Sequence, residues 1–186
     1  MRLFVAIDPP REALAALDAE LGPTRAVAPP GLRWTRPEQW HLTLAFLGEV
    51  PDDDVPALIE ALAAAVGDAP MGLRLAGGGC FGDRVLWVGL GGDVHALRTL
   101  AADVSAAARG AGVAFEDQGY RPHLTLARAG KEPASLRPAA AELAQVVGPA
   151  WDVAAVHLVR SHLGAGPGRT AAHEPIATWP RRTGRG

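Results

Sequence analysis

The chain has one cysteine, Cys80, in 186 residues, so neither an internal disulfide nor a cysteine cage for a metal can form within it. It has one lysine, Lys131, among 18 basic residues, and 20 acidic residues leave a formal charge of −2. That balance excludes a surface that holds nucleic acid or anionic membrane by bulk charge. An anionic ligand needs a local cluster, and arginine, with its planar fork, suits phosphate. No apolar stretch reaches the roughly 20 residues of a membrane span, and the apolar run in "MRLFVAIDPP" is too short for a secretion signal. A soluble, cytoplasmic, monomeric protein is the expectation. The Gly-rich pieces "GGGCFGD" and "GGDVHAL" match neither a P-loop nor a Rossmann fingerprint, and the six histidines show no H-x-x-x-H or H-x-x-E-H spacing. Neither a cofactor nor a metal is expected.

What is present is a repeat. "HLTLAF" at 41–46 returns as "HLTLAR" at 123–128. The elements around it read in the order β-α-β-α-β-β-α-β-α-β-β. Leu3–Ile7 is a short β-type run stopped by Asp8 and two prolines. Leu14, Leu17 and Leu21 recur at helical spacing, and Gly22-Pro23 closes that segment, leaving "GPTRAVAPPG" as a loop. Leu32–Thr35 is a brief strand. Asp52–Asp54 supply N-cap candidates for a helix with Val55, Leu58, Ile59, Leu62 and Val66 on its face and Gly67 at its end. "MGLRLAGGGCFGDRVLWVGLGG" is two strands joined by a Gly-rich turn. Asp93 caps a helix that carries Val94, Leu97, Leu100 and Val104 to Gly110. A further helix is expected from Pro138 to Val147, then strands in "WDVAAVHLVRSHL" and "AHEPIATWP". Residues 1–180 make one domain on this reading, and 181–186 a frayed tail.

Each repeated strand is followed by a helix, which suggests two halves related by a pseudo-two-fold. Strand alternation puts His41, Thr43 and Ala45 on one face and Leu42, Leu44 and Phe46 on the other. The second copy sets His123, Thr125 and Ala127 against Leu124 and Leu126. An imidazole beside a hydroxyl is a poor core and a sensible cleft wall, because each polar group needs a partner. Two opposed histidines can divide acid and base work, since the unperturbed imidazole titrates at about 6.5. The threonines and a nearby arginine can hold an anion between them. A single H-x-T is most often only a half-buried strand; its repetition with the polar face intact points to a duplicated site.

The two H-x-T motifs resemble the 2H phosphoesterase superfamily. "MRLFVAID", "LRWTRPEQWHLTLAFLGEV", "RVLWVGL", "YRPHLTLAR" and "LVRSHL" narrow the resemblance to the RNA 2′,3′-cyclic phosphodiesterases, once called 2′-5′ RNA ligases, over about residues 1–180. The resemblance implies a bilobal α+β fold, with antiparallel sheets flanking a central cleft and helices outside. It implies metal-independent opening of a 2′,3′-cyclic phosphate, on RNA or a small cyclic nucleotide, to a 2′-phosphate. On it, His123 is the general base for water and His41 the general acid to O3′. Thr43, Thr125 and Arg128 bind phosphate, and Phe46 packs near the nucleoside. His173 stands where an aromatic residue is more usual. Two alternatives use the same residues: a module that binds RNA ends without turnover, and 2′-5′ joining by the reverse reaction.

Overall fold

Leu3–Ile7 is apolar throughout, and the strand it forms, β1 (Arg2–Ile7), is buried on both faces near the middle of the sheet. The computed structural model describes residues 1–116, 119–130, 134–162, 164 and 171–184. After β1 come α1 (Arg11–Glu20), α2 (Gly22–Val27), β2 (Arg33–Trp34), β3 (Leu42–Glu49) and α3 (Val55–Val66). Next are β4 (Gly72–Phe81), β5 (Val85–Gly92), α4 (Val94–Gly110) and β6 (Leu124–Arg128). The chain closes with α5 (Arg137–Leu143), β7 (Trp151–Asp152), β8 (Ala155–His162) and β9 (Ala172–Pro180). No helix among the described residues is long and apolar enough to cross a membrane.

Among the described residues the strands form one sheet in the order β7-β4-β5-β6-β3-β1-β8-β9, with β2 beside β6, and every pairing is antiparallel. The expected α+β architecture is present, its two antiparallel sheets fused edge to edge where Leu42 pairs with Leu124. A pseudo-two-fold through that pair exchanges β3 with β6, β1 with β5, and β4 with β8. Each half therefore takes one strand from the other repeat: β4, which follows β3, pairs with β5, while β8, which follows β6, pairs with β1. Leu3, Val5, Ile7, Leu42, Leu86 and Leu124 belong to one buried cluster with Leu17, Leu58, Leu97 and Leu143 of the helices. Phe4 and Ala6 point to the opposite face, where they form a second, small buried cluster with Val159.

Several local expectations are corrected. Gly22–Val27 is helical rather than loop: Pro23 occupies the first turn, where its missing N–H costs nothing, and Thr24 is buried. The helix expected to Val147 stops at Leu143, because the backbone of 146–148 bonds to β4 instead. The N–H of Gly77 donates to Val146 O at 2.8 Å, and that of Gly148 to Leu75 O at 2.7 Å. Asp54 and Asp93 precede their helices without a side-chain cap bond. Asp93 Oδ2 accepts from the Gly72 N–H at 2.8 Å, tying a strand start instead.

Arg181, placed in the tail by composition, is 9% exposed. Its guanidinium donates to Val66 O, to Gly67 O at 3.3 Å and to Ala69 O at 2.7 Å, satisfying carbonyls at the end of α3 that the helix cannot. Arg182 pairs with Asp68 at 3.1 Å. Residues 185 and 186 of the expected tail lie outside the described residues. Replacing Arg181 by Ala leaves buried carbonyls unpaired, so stability should fall by about 2 kcal/mol. The check is the denaturant midpoint; a variant within experimental error of the parent would return Arg181 to the tail.

Candidate active site

Leu42 and Leu124 are buried, which turns the residues on either side of each toward the open face. Carrying their antiparallel register one residue either way sets His41 beside Thr125, and Thr43 beside His123. Each histidine of one motif thus faces the threonine of the other.

The two imidazoles are held identically. His41 Nδ1 lies 2.8 Å from Gln39 O, and His123 Nδ1 lies 2.6 Å from Arg121 O. A carbonyl only accepts, so Nδ1 carries the proton in both rings. Nε2 is left without a hydrogen-bond partner among the described residues, as a base when neutral and an acid when protonated. The bond spans two residues in each case, so the bend before each strand positions its own histidine.

Burial holds both imidazoles below their ordinary value. For His41 the charges of His173 and Arg128 act in the same direction, against the Gln39 bond and Asp8. For His123 the Arg128 charge adds to burial, against the Arg121 bond. The Arg128 charge acts on both rings in the same direction.

Alternation alone puts Phe46 on the leucine face and implies the same for Arg128. The structure reverses this through one bulge in each motif. On β3, Ala45 pairs with Val5 and Thr43 with Ala6, leaving Leu44 unmatched. On β6, Ala127 pairs with Leu86 and Thr125 with Trp87, leaving Leu126 unmatched. The extra residue flips all that follows. Ala45 and Ala127 turn into the core, and Phe46 and Arg128 return to the face of Thr43 and Thr125. Phe46 is 47% exposed, with the Arg2 guanidinium 4.7 Å from its ring centroid.

Two hollows open on the two motifs along the cleft. The larger, about 1110 Å³, is lined by His123, Thr43, Thr125, Arg128 and Phe46. The smaller, about 660 Å³, opens on His41, with Asp8 and His173 beside it. Among the described residues no group of three or more metal-ligating side chains is placed to hold an ion.

The family model for LigT-like phosphoesterases matches residues 6–87 and 92–168. The chain belongs to this family. A Geobacillus stearothermophilus protein named RNA 2′,3′-cyclic phosphodiesterase is 32% identical over 95% of the chain, which spans 56% of that relative's length. A protein of the same name from Thermus thermophilus is 35% identical, over 88% of the chain and 83% of the relative. The crystal structure of TT0787, also from Thermus thermophilus, superposes with a TM-score of 0.79 at 29% identity, covering all of both chains. That of Escherichia coli LigT complexed with 3′-AMP gives 0.76 at 26%, covering 97% of each.

Sequence reasoning missed the rings that pack the histidines. Phe4 and His173 lie 4.9 and 5.1 Å from His41, centroid to centroid, so His173 fills an aromatic place. Phe81 meets His123 edge-on at 4.9 Å, with Trp87 at 6.4 Å. It also missed Tyr120, which lines the larger hollow and whose buried hydroxyl has no hydrogen-bond partner among the described residues; burial pushes this phenol well up. None of these follows a spacing rule. They reach the site through pairing between strands.

The lowered imidazole values have a stability consequence. The unfolded chain takes up protons on these rings before the folded protein does, so stability falls as pH drops through about 6.5 and levels off below the folded values. Side-chain NMR titration should find both rings titrating below 6.5; either one titrating above it would contradict the assigned burial.

Proposed function

We propose that the chain is a metal-independent RNA 2′,3′-cyclic phosphodiesterase that opens the cyclic phosphate to a 2′-phosphate. The observation that carries this reading is the matched pair of imidazoles, each pinned through Nδ1 with Nε2 left to the cleft. The names of the Geobacillus and Thermus relatives support the same activity.

Displacement at phosphorus needs a nucleophile and a leaving oxygen on opposite sides, with donors fixed around the anionic transition state. His123 Nε2, neutral, takes a proton from water as the water oxygen bonds to phosphorus. His41 Nε2, protonated, gives its proton to O3′ as the P–O3′ bond breaks. The product keeps phosphate on O2′, and the two rings exchange protonation states and reset through solvent. Thr43 and Thr125 donate hydroxyls to the non-bridging oxygens, and Arg128 supplies charge-assisted bonds. Phe46, exposed beside them, gives the nucleoside a ring to stack on. Both motifs come from one chain, so the site needs no second copy.

An oligoribonucleotide with a 2′,3′-cyclic phosphate end, incubated in EDTA, should yield only the 2′-phosphate. A 3′-phosphate would exchange the two histidine roles, and inactivity in EDTA alone would remove metal independence. His41→Ala and His123→Ala should each lower kcat by about 10²–10⁴-fold while keeping the fold. Either variant retaining near-parental turnover would take that ring out of the scheme. The kcat/KM profile should be a bell, lost on the acid side as His123 protonates and on the basic side as His41 deprotonates. Because both imidazoles are lowered by burial, the bell should be centred below about 6.5. A centre above 7 would refute this assignment.

A further inference from the structure

We propose that Arg33 binds a second phosphate of the substrate strand, so that this site is built for RNA ends carrying an internal phosphodiester rather than for cyclic mononucleotides. The inference rests on the phosphodiesterase reading above and starts from a pairing. On β2, Arg33 stands directly opposite Arg128 of β6 in the strand register, and both side chains are exposed. Its neighbour Trp34 stands opposite Ala127 and packs on the core, which turns Arg33 to the open side. Like charges opposed across a strand pair are unfavourable. Neither arginine has a carboxylate or hydrogen-bond partner among the described residues. The fold gains nothing from this pair, whereas an anion lying along it gains from both.

The placement is rigid. The Thr35 N–H donates to Leu126 O at 2.8 Å, beside the pair on one side. On the other side a Cβ at Gly130 would lie 2.8 Å from Gly31 O, so the two chains touch there with only hydrogen between them. The two arginines nevertheless differ in reach. Arg128 lines the larger hollow beside His123, and Arg33 is not among its lining residues. Arg33 therefore stands one strand away from Arg128, outside the hollow that holds the histidine-bound phosphate. The first copy of the motif differs here: where β6 carries Arg128 with Arg33 opposite, β3 carries Phe46 under Arg2. One rim of the cleft carries two opposed cations, and the other a single cation held on a ring. A strand with two successive phosphates matches the cationic rim; a mononucleotide has only one.

The test compares kcat/KM for a 2′,3′-cyclic mononucleotide with that for a dinucleotide ending in the same base and the same cyclic phosphate. The parent should favour the dinucleotide by about tenfold, the scale of one charge-assisted phosphate contact. In Arg33→Gln that ratio should fall to within about twofold of unity, and Arg33→Lys should keep part of it. A dinucleotide with an uncharged methylphosphonate linkage, offered to the parent, should behave like the mononucleotide; this arm does not depend on any variant folding. Equal kcat/KM for both substrates in the parent, a ratio untouched in Arg33→Gln, or a methylphosphonate as good as the phosphodiester would each overturn the inference and leave the phosphodiesterase reading standing. No turnover of either substrate would overturn that reading, and this inference with it.

Discussion

The site depends on the pairing of Leu42 with Leu124, the single register point at which the two motif strands meet. Both leucines are buried, at 1% and 0% exposure, and each is worth about 1.5–3 kcal/mol in burial alone. A slip of one residue would expose both and bury two imidazoles without partners. Hydrophobic burial therefore fixes the register, and the register places each histidine against the opposite threonine. The polar face is held correctly because the apolar face has one satisfactory arrangement.

On this frame the two histidines receive different surroundings. His123 is packed by carbon rings, Phe81 and Trp87. His41 is packed by one carbon ring and one titratable ring, His173, with Asp8 near enough to influence both. Backbone symmetry supplies two equivalent imidazoles; the strands around them make the two inequivalent. A reaction with a distinct acid and base needs that difference, since two identical groups would compete for one proton.

Much of this was legible in the chain. The repeated hexapeptide, the element order and the helix faces follow from periodicities that burial enforces, and His41, Thr43, His123 and Thr125 follow from them in turn. Phe46 and Arg128 were legible only by resemblance. The bulges at Leu44 and Leu126 depend on partner strands distant in sequence, and alternation read along one strand gives the wrong face for both residues. Arg33 was hidden for the same reason, because its meaning lies in what stands opposite. Arg181 resembled a tail residue because its partners are backbone carbonyls near 66–69, which carry no sequence signature.

The exchange of β4 and β8 between the halves bears on how such a molecule came to be. Each repeat lends the strand after its motif helix, β4 or β8, to the other, so one repeat alone would expose an unpaired edge and lack a strand of its own sheet. Two copies of a single repeat would satisfy each other symmetrically, as a strand-swapped dimer does, with one H-x-T from each copy meeting on the axis. In that light the chain is a dimer written into one polypeptide. Once the copies are joined, each is free to change independently, and Phe46 in one motif where the other has Arg128 is the kind of difference that a true homodimer could never hold.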